Sequence, residues 1–273
     1  MSVMNKKYIM LHHLHDKNFM NIKGSISKRQ FEKIVKKNLI KNYVYTFDDG
    51  LKSQFHIARP ILEKYNLKGI FFINSFQFKK KIGYHEVSKF FIKKYYKNIK
   101  EYADDFILFS KNKFKINKTQ IKNYKKEHPF HTLSEIYIRI LRNKNLNLYN
   151  RILIKMFKRK KFNYTKTNQM IFMNKSEVIN LSKKHIIGLH THSHLFNLDE
   201  LNYKTQNKEI LLNKKILEKF INKKIFYFSY PVGKYNLQLI KILKKYKIKI
   251  AFTNRVNNFK NRLLMPRINI NTL

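Results

Sequence analysis

At 273 residues the chain is long enough for one large domain with a substantial core, and its lack of cysteine excludes disulfides, thiolate metal sites and a cysteine nucleophile. Hydrophobic residues make up 43% and aromatics 15%, too apolar for a chain that stays disordered. Lysine and arginine number 59 against 16 acidic residues, a net charge of +43, but the lysines are spread along the whole chain among Asn, Ile, Phe and Tyr. That spread fits the residue usage of an AT-rich genome better than a focused nucleic-acid surface.

In chain order, Tyr8 to Leu11 reads as a strand. Ser27 to Lys37 reads as a helix, with Ser27 and Gln30 in capping-box spacing. A strand at Tyr43 to Phe47, a helix at Ile57 to Tyr65 with Pro60 in its first turn, and a buried strand at Gly69 to Ile73 follow. From about residue 75 to 172 the strand signal fades, and helical patterns near Glu86 to Tyr96, Ser134 to Arg142 and Tyr149 to Phe157 indicate a mainly helical insertion in a single domain. The alternation resumes with a helix after Asn174, which has Glu177 at capping-box spacing. A strand at His185 to Leu189, a long helix around Lys204 to Phe220 and a strand at Ile225 to Ser229 come next. Helix Leu237 to Tyr246 and strands Ile248 to Phe252 and Arg267 to Ile270 complete the series. Alternating strands and helices imply a mainly parallel sheet, open or closed into a barrel. The first residues lack the apolar stretch and small-residue cleavage site of a signal peptide, and apolar runs such as Ile70 to Ile73 fall far short of a membrane span. A cytoplasmic location is therefore expected.

Three stretches at predicted strand ends carry chemistry. In a chain so poor in acids, the adjacent aspartates of Tyr45-Thr46-Phe47-Asp48-Asp49-Gly50 stand out, although Asp-Asp-Gly is also an ordinary turn sequence. Gly188-Leu189-His190-Thr191-His192-Ser193-His194 places three of the 11 histidines within five positions. Alternating histidines fit a core poorly, and two imidazoles with one carboxylate would give a zinc-like ion three ligands with positions open for water and substrate. Ser229-Tyr230-Pro231-Val232-Gly233 uses scarce Pro and Gly at a strand end, as a plain turn or as a backbone N–H aimed at a developing oxyanion.

Together these stretches resemble the polysaccharide deacetylase family (NodB homology, carbohydrate esterase family 4), over roughly Tyr8 to Ile73 and Asn174 to Ile270. Thr46-Phe47-Asp48-Asp49-Gly50 matches the family's first motif, and His190 to His194 its His-(Ser/Thr)-x-x-His motif. The resemblance implies Asp48 as catalytic base and Asp49, His190 and His194 as ligands of a divalent metal, most often zinc, with His192 left out. Tyr230-Pro231-Val232-Gly233 is similar to the Tyr-Pro-x-Gly variant of one branch, with Val232 offering the oxyanion N–H. The common arginine of that motif is replaced by Ser229, and Arg267 in Met265-Pro266-Arg267-Ile268 would take over its role of orienting Asp48. The family's late histidine is absent, since no histidine follows His194. The acid would then come from the early strand, as His12, with His13 as competitor. The implied fold is α/β, a distorted (β/α) barrel of the NodB type. The implied activity is removal of an N-acetyl group from a sugar in a glycan or glycolipid intermediate, and the basic surface would suit work beside an anionic membrane. Against this stand two other classes, a basic nucleic-acid-binding protein and a catalytically inactive carbohydrate-binding relative.

Overall fold

The computed structural model describes residues 6–110, 115–127, 131–254 and 261–273. They fall into two units, one drawn from residues 6–81 and 169–273 and one from residues 82–168. The first unit begins with β1 (Lys7–Leu11), β2 (Leu14–His15), β3 (Ile26–Ser27), α1 (Lys28–Lys37), β4 (Tyr43–Phe47), α2 (Arg59–Lys64) and β5 (Ile70–Ile73). Ser27 and Gln30 form the capping box of α1, and Pro60 sits in the first turn of α2.

The second unit is helical: α3 (Tyr84–Tyr95), α4 (Ile99–Ser110), α5 (Lys118–Glu127), α6 (Leu133–Lys144), α7 (Leu146–Arg159) and most of α8 (Tyr164–Ile171). Phe91, Phe106, Tyr149 and Phe157 are buried in it. Helices α4, α5 and α8 go beyond the three segments whose periodicity is legible; none of the α5 residues whose burial is described is buried, so no apolar stripe marks it.

The first unit resumes with α9 (Lys175–Lys184), capped by Asn174 and Glu177, then β6 (Ile186–Leu189), α10 (Tyr203–Ile221), β7 (Tyr227–Ser229), α11 (Leu237–Lys245), β8 (Ile250–Thr253), β9 (Met265–Pro266) and β10 (Ile268–Asn269). Among the described residues no helix is long and apolar enough to cross a membrane. The strands form one parallel sheet in the order β10-β1-β4-β5-β6-β7-β8-β9. Its two edges are neighbouring pieces of one stretch: Met265 and Pro266 pair with Phe252 and Thr253 of β8, while Ile268 and Asn269 pair with Ile9 and Met10 of β1. The sheet thus closes into a nearly complete barrel. The single strand expected at Arg267 to Ile270 is corrected to two short ones flanking Arg267, with Ile270 opening a 3-10 turn. The split follows from the change of partner, helped by Pro266, which has no N–H to give a ladder.

Strand periodicity sorts the core. Phe72 of β5 and Phe252 of β8 are separated by the two strands β6 and β7 in the sheet yet their rings are 5.4 Å apart, so they meet across the barrel interior. Tyr8, Ile70, Ile250 and Met265 join them. The opposite face, with Ile9, Phe47, Phe71, Ile73 and Leu189, packs beneath the helices. Both faces are covered, which is why β5 reads as an unbroken apolar run. Gly188 makes room for Phe72: a Cβ there would lie 2.3 Å from the ring. Gly188→Ala is expected to cost about 1–3 kcal/mol through overpacking, measured as a lower denaturant midpoint. An unchanged midpoint would mean that the interior is looser than described.

Candidate active site

The chemical groups gather at the carboxyl ends of the barrel strands. The Asp48 N–H donates to the Leu11 carbonyl (3.0 Å), continuing the β1–β4 ladder one residue past β4. The chain then leaves the sheet through Asp49 at φ 79° and Gly50 at φ 66°. Buried Gln54 secures this exit: its Nε2 donates to the carbonyls of Asp48 (2.6 Å) and His12 (3.0 Å), and its Oε1 accepts from Leu51 N–H (3.2 Å).

Asp49 Oδ1 lies 3.5 Å from His190 Nε2 and 3.4 Å from His194 Nε2. All three ligand atoms fall within 4.8 Å of one another. Donors held about 2.0–2.1 Å from a tetrahedral ion sit roughly 3.4 Å apart, so the two measured spacings fit a zinc-sized cation. His190 Nδ1 is 2.8 Å from the Ser229 carbonyl, which can only accept, so Nδ1 carries the proton and Nε2 is left with a lone pair for a cation. Asp49, Thr191 and His194 all have positive φ (79°, 64° and 50°). Such backbone is costly for residues other than glycine and gathers at functional sites. Burial works against a charged Asp49, yet the neighbouring imidazoles of His190, His194 and His12 hold its carboxyl well below the usual range. Burial likewise opposes a charged His190, but Asp48 and Asp49 outweigh it and raise the ring's pKa. One anionic carboxylate flanked by two imidazoles is a donor set that suits a divalent cation.

Next to this trio is a buried ion pair. Arg267 Nη1 and Nη2 donate to Asp48 Oδ1 and Oδ2, each at 2.7 Å, a bidentate fork. Nη2 also lies 3.0 Å from Ser229 Oγ and 3.0 Å from Asn254 Oδ1, and Nη1 reaches Thr46 Oγ1 at 3.3 Å. Ser229 Oγ in turn donates to Asp48 Oδ2 at 3.3 Å. The Arg267 side chain is 0% exposed. Desolvation pushes the Asp48 pKa up, but the Arg267 charge and its hydrogen bonds, aided by His190 and His12, bring it below the ordinary value.

His12 Nε2 sits 3.9 Å from Asp48 Oδ2 and its side chain is 38% exposed, whereas His13 is buried. His192 points elsewhere: its Nδ1 is 2.8 Å from Ser75 Oγ, and burial, with Lys81, Lys79 and Lys208, pushes its pKa down to about 4. Tyr230 is fully buried, and Pro231 to Gly233 form a 3-10 turn in which Val232 (φ 50°) and Gly233 (φ 71°) are left-handed. A Cβ on Gly233 would come within 2.6 Å of the Asn254 backbone nitrogen, so the turn lies directly against the residue that accepts from Arg267.

Sequence reasoning did not single out Gln54, Asn74, Asn213 or Asn254. Each is an asparagine or glutamine whose role is to satisfy backbone or charged groups at strand ends, and nothing in local periodicity marks such a residue.

The family model described as polysaccharide deacetylase matches residues 148–251, a span that includes His190 and His194 but not the aspartate pair. No curated protein matches the sequence. Among solved structures, the chain is similar in fold to IcaB from Ammonifex degensii (14% identity, TM-score 0.56, covering 97% of this chain and 91% of that one). The deacetylase PplD of Streptococcus pyogenes, in complex with acetate, aligns at 14% identity and TM-score 0.52 over 97% of this chain and 92% of its own. A de-N-acetylase from Aggregatibacter actinomycetemcomitans aligns at 13% identity and TM-score 0.56, covering 96% and 94%.

Proposed function

We propose that this chain, matched by the polysaccharide deacetylase model over residues 148–251, is a metal-dependent hydrolase that removes the N-acetyl group from a sugar of a glycan or glycolipid intermediate and releases acetate. The observation that carries this reading is the gathering of Asp49, His190 and His194 within 4.8 Å, beside an Asp48 carboxylate paired with Arg267.

Asp49, His190 and His194 would hold a divalent cation, most suitably zinc. When bound, it supplies a Lewis acid for the acetamide carbonyl and lowers the pKa of water. Asp48, kept ionised by Arg267, takes the proton from the attacking water. Val232 offers its backbone N–H to the oxygen on which charge develops. His12, half-exposed at the edge of Asp48, gives a proton to the departing sugar nitrogen, so that a neutral amine leaves. His12 is better disposed than His13 because its ring reaches Asp48 while remaining open to solvent. The strongly basic surface suits a substrate carried at an anionic cytoplasmic membrane face.

Acetate release from N-acetylated sugars tests the reading. Treatment with a chelator is expected to reduce release to background, and added Zn2+ to restore it. Release that persists in metal-free protein would sink the metal's role, and no release from any sugar in a broad panel would sink the activity itself.

A further inference from the structure

We infer that Asn213, on α10, is a positioning residue that sets the affinity of the Asp49-His190-His194 site for its cation; the inference rests on the metal reading above. Asn213 is fully buried and lies one helix away from the ligands in the chain. Its Oδ1 accepts from the His190 backbone N–H at 3.0 Å, and its Nδ2 donates to the Ile73 carbonyl at 3.0 Å. One amide thus ties the carboxyl ends of β5 and β6 together at the residue where β6 gives way to the ligand loop.

The other side of the His190 peptide is held too. Asn74 Nδ2 donates to the His190 carbonyl and, at 3.5 Å, to that of Thr191. His190 is therefore gripped on its N–H by Asn213, on its C=O by Asn74 and on its ring Nδ1 by the Ser229 carbonyl. The next residue, Thr191, is left-handed, and its Oγ1 accepts from the His194 N–H at 3.1 Å. Fixing the His190 main chain thus also fixes the strained turn that swings His194 back toward Asp49. An asparagine suits this position because it needs one acceptor and one donor on the same short side chain. Leucine, of similar size, offers neither, and aspartate keeps only the acceptor.

Outer partners of metal ligands are typically worth 10–100-fold in affinity. Asn213→Leu is accordingly expected to weaken Zn2+ binding by about 10–100-fold in a chelator-competition titration. Asn213→Asp, which retains the oxygen facing the His190 N–H, is expected to recover most of that loss. The melting temperature of the metal-free protein, measured in parallel, separates this role from a merely structural one. A structural role would lower the metal-free melting temperature while leaving the Zn2+ affinity of the folded protein unchanged, and that result would overturn the inference. If Asn213→Leu fails to fold, Asn213→Ala decides: a loss of about 10-fold or more in Zn2+ affinity supports the inference, and wild-type affinity overturns it. Wild-type protein that binds no Zn2+ would instead overturn the proposed function on which the inference stands.

Discussion

Asp48→Asn is expected to lower acetate release by about 10²–10⁴-fold, the usual worth of a general base, while Zn2+ content stays at the wild-type level. The two halves of that result separate roles held by neighbouring residues. Asp48 contributes no atom to the trio formed by Asp49, His190 and His194, so its amide should leave the cation in place. Asn still offers Arg267 one acceptor, and the variant should fold, with reduced stability because a buried guanidinium has lost its counter-charge. Asp49→Asn is the contrasting variant, expected to lose metal and activity together. Wild-type turnover by folded Asp48→Asn would refute the base assignment.

Arg267→Met is expected to cost about 3–5 kcal/mol of stability, because it strands the Asp48 carboxylate in a buried site without its partner. Denaturant titration measures this. The variant also bears on pH. In the wild type, Asp48 is held below the ordinary aspartate range, so the pair contributes stability at neutral pH that is lost as pH falls through the folded-state value. The proposed mechanism calls on the same ionised carboxylate. Without Arg267 the desolvation that already pushes Asp48 up is unopposed by its main counter-charge, so the acid limb of the pH–rate profile should move to higher pH. Arg267→Lys should restore part of the charge but not the fork. An acid limb that stays put in Arg267→Met would show that Arg267 does not tune Asp48. If Arg267→Met also lost no stability, the ion pair would contribute far less than its burial implies.

The clustered residues were legible because their chemistry is local: Asp48-Asp49-Gly50 and His190 to His194 each occupy a few consecutive positions after a clear strand. The alternation of strands and helices was legible for the same reason, and the capping boxes at Ser27 and Asn174 marked two helix starts within a residue. Arg267 could be proposed only through resemblance, since no periodicity joins it to a residue 219 positions earlier. The asparagine and glutamine braces were not legible at all. Asn213 is one polar residue among many on an amphipathic helix, and its task appears only once β5 and β6 lie side by side. The division of the last strand was hidden too, because a run of four residues says nothing about changing partners midway.

That divided strand has a consequence for synthesis. Residues 265–269 supply both seams of the barrel and, between them, the guanidinium that keeps Asp48 charged. A chain emerging from the ribosome holds Asp48, Asp49, His190 and His194 by residue 194, yet has neither seam of the barrel nor the Arg267 partner of Asp48 until translation passes residue 269. A chain truncated before residue 265 would keep Asp48, Asp49, His190 and His194 but lose both seams and the partner of Asp48.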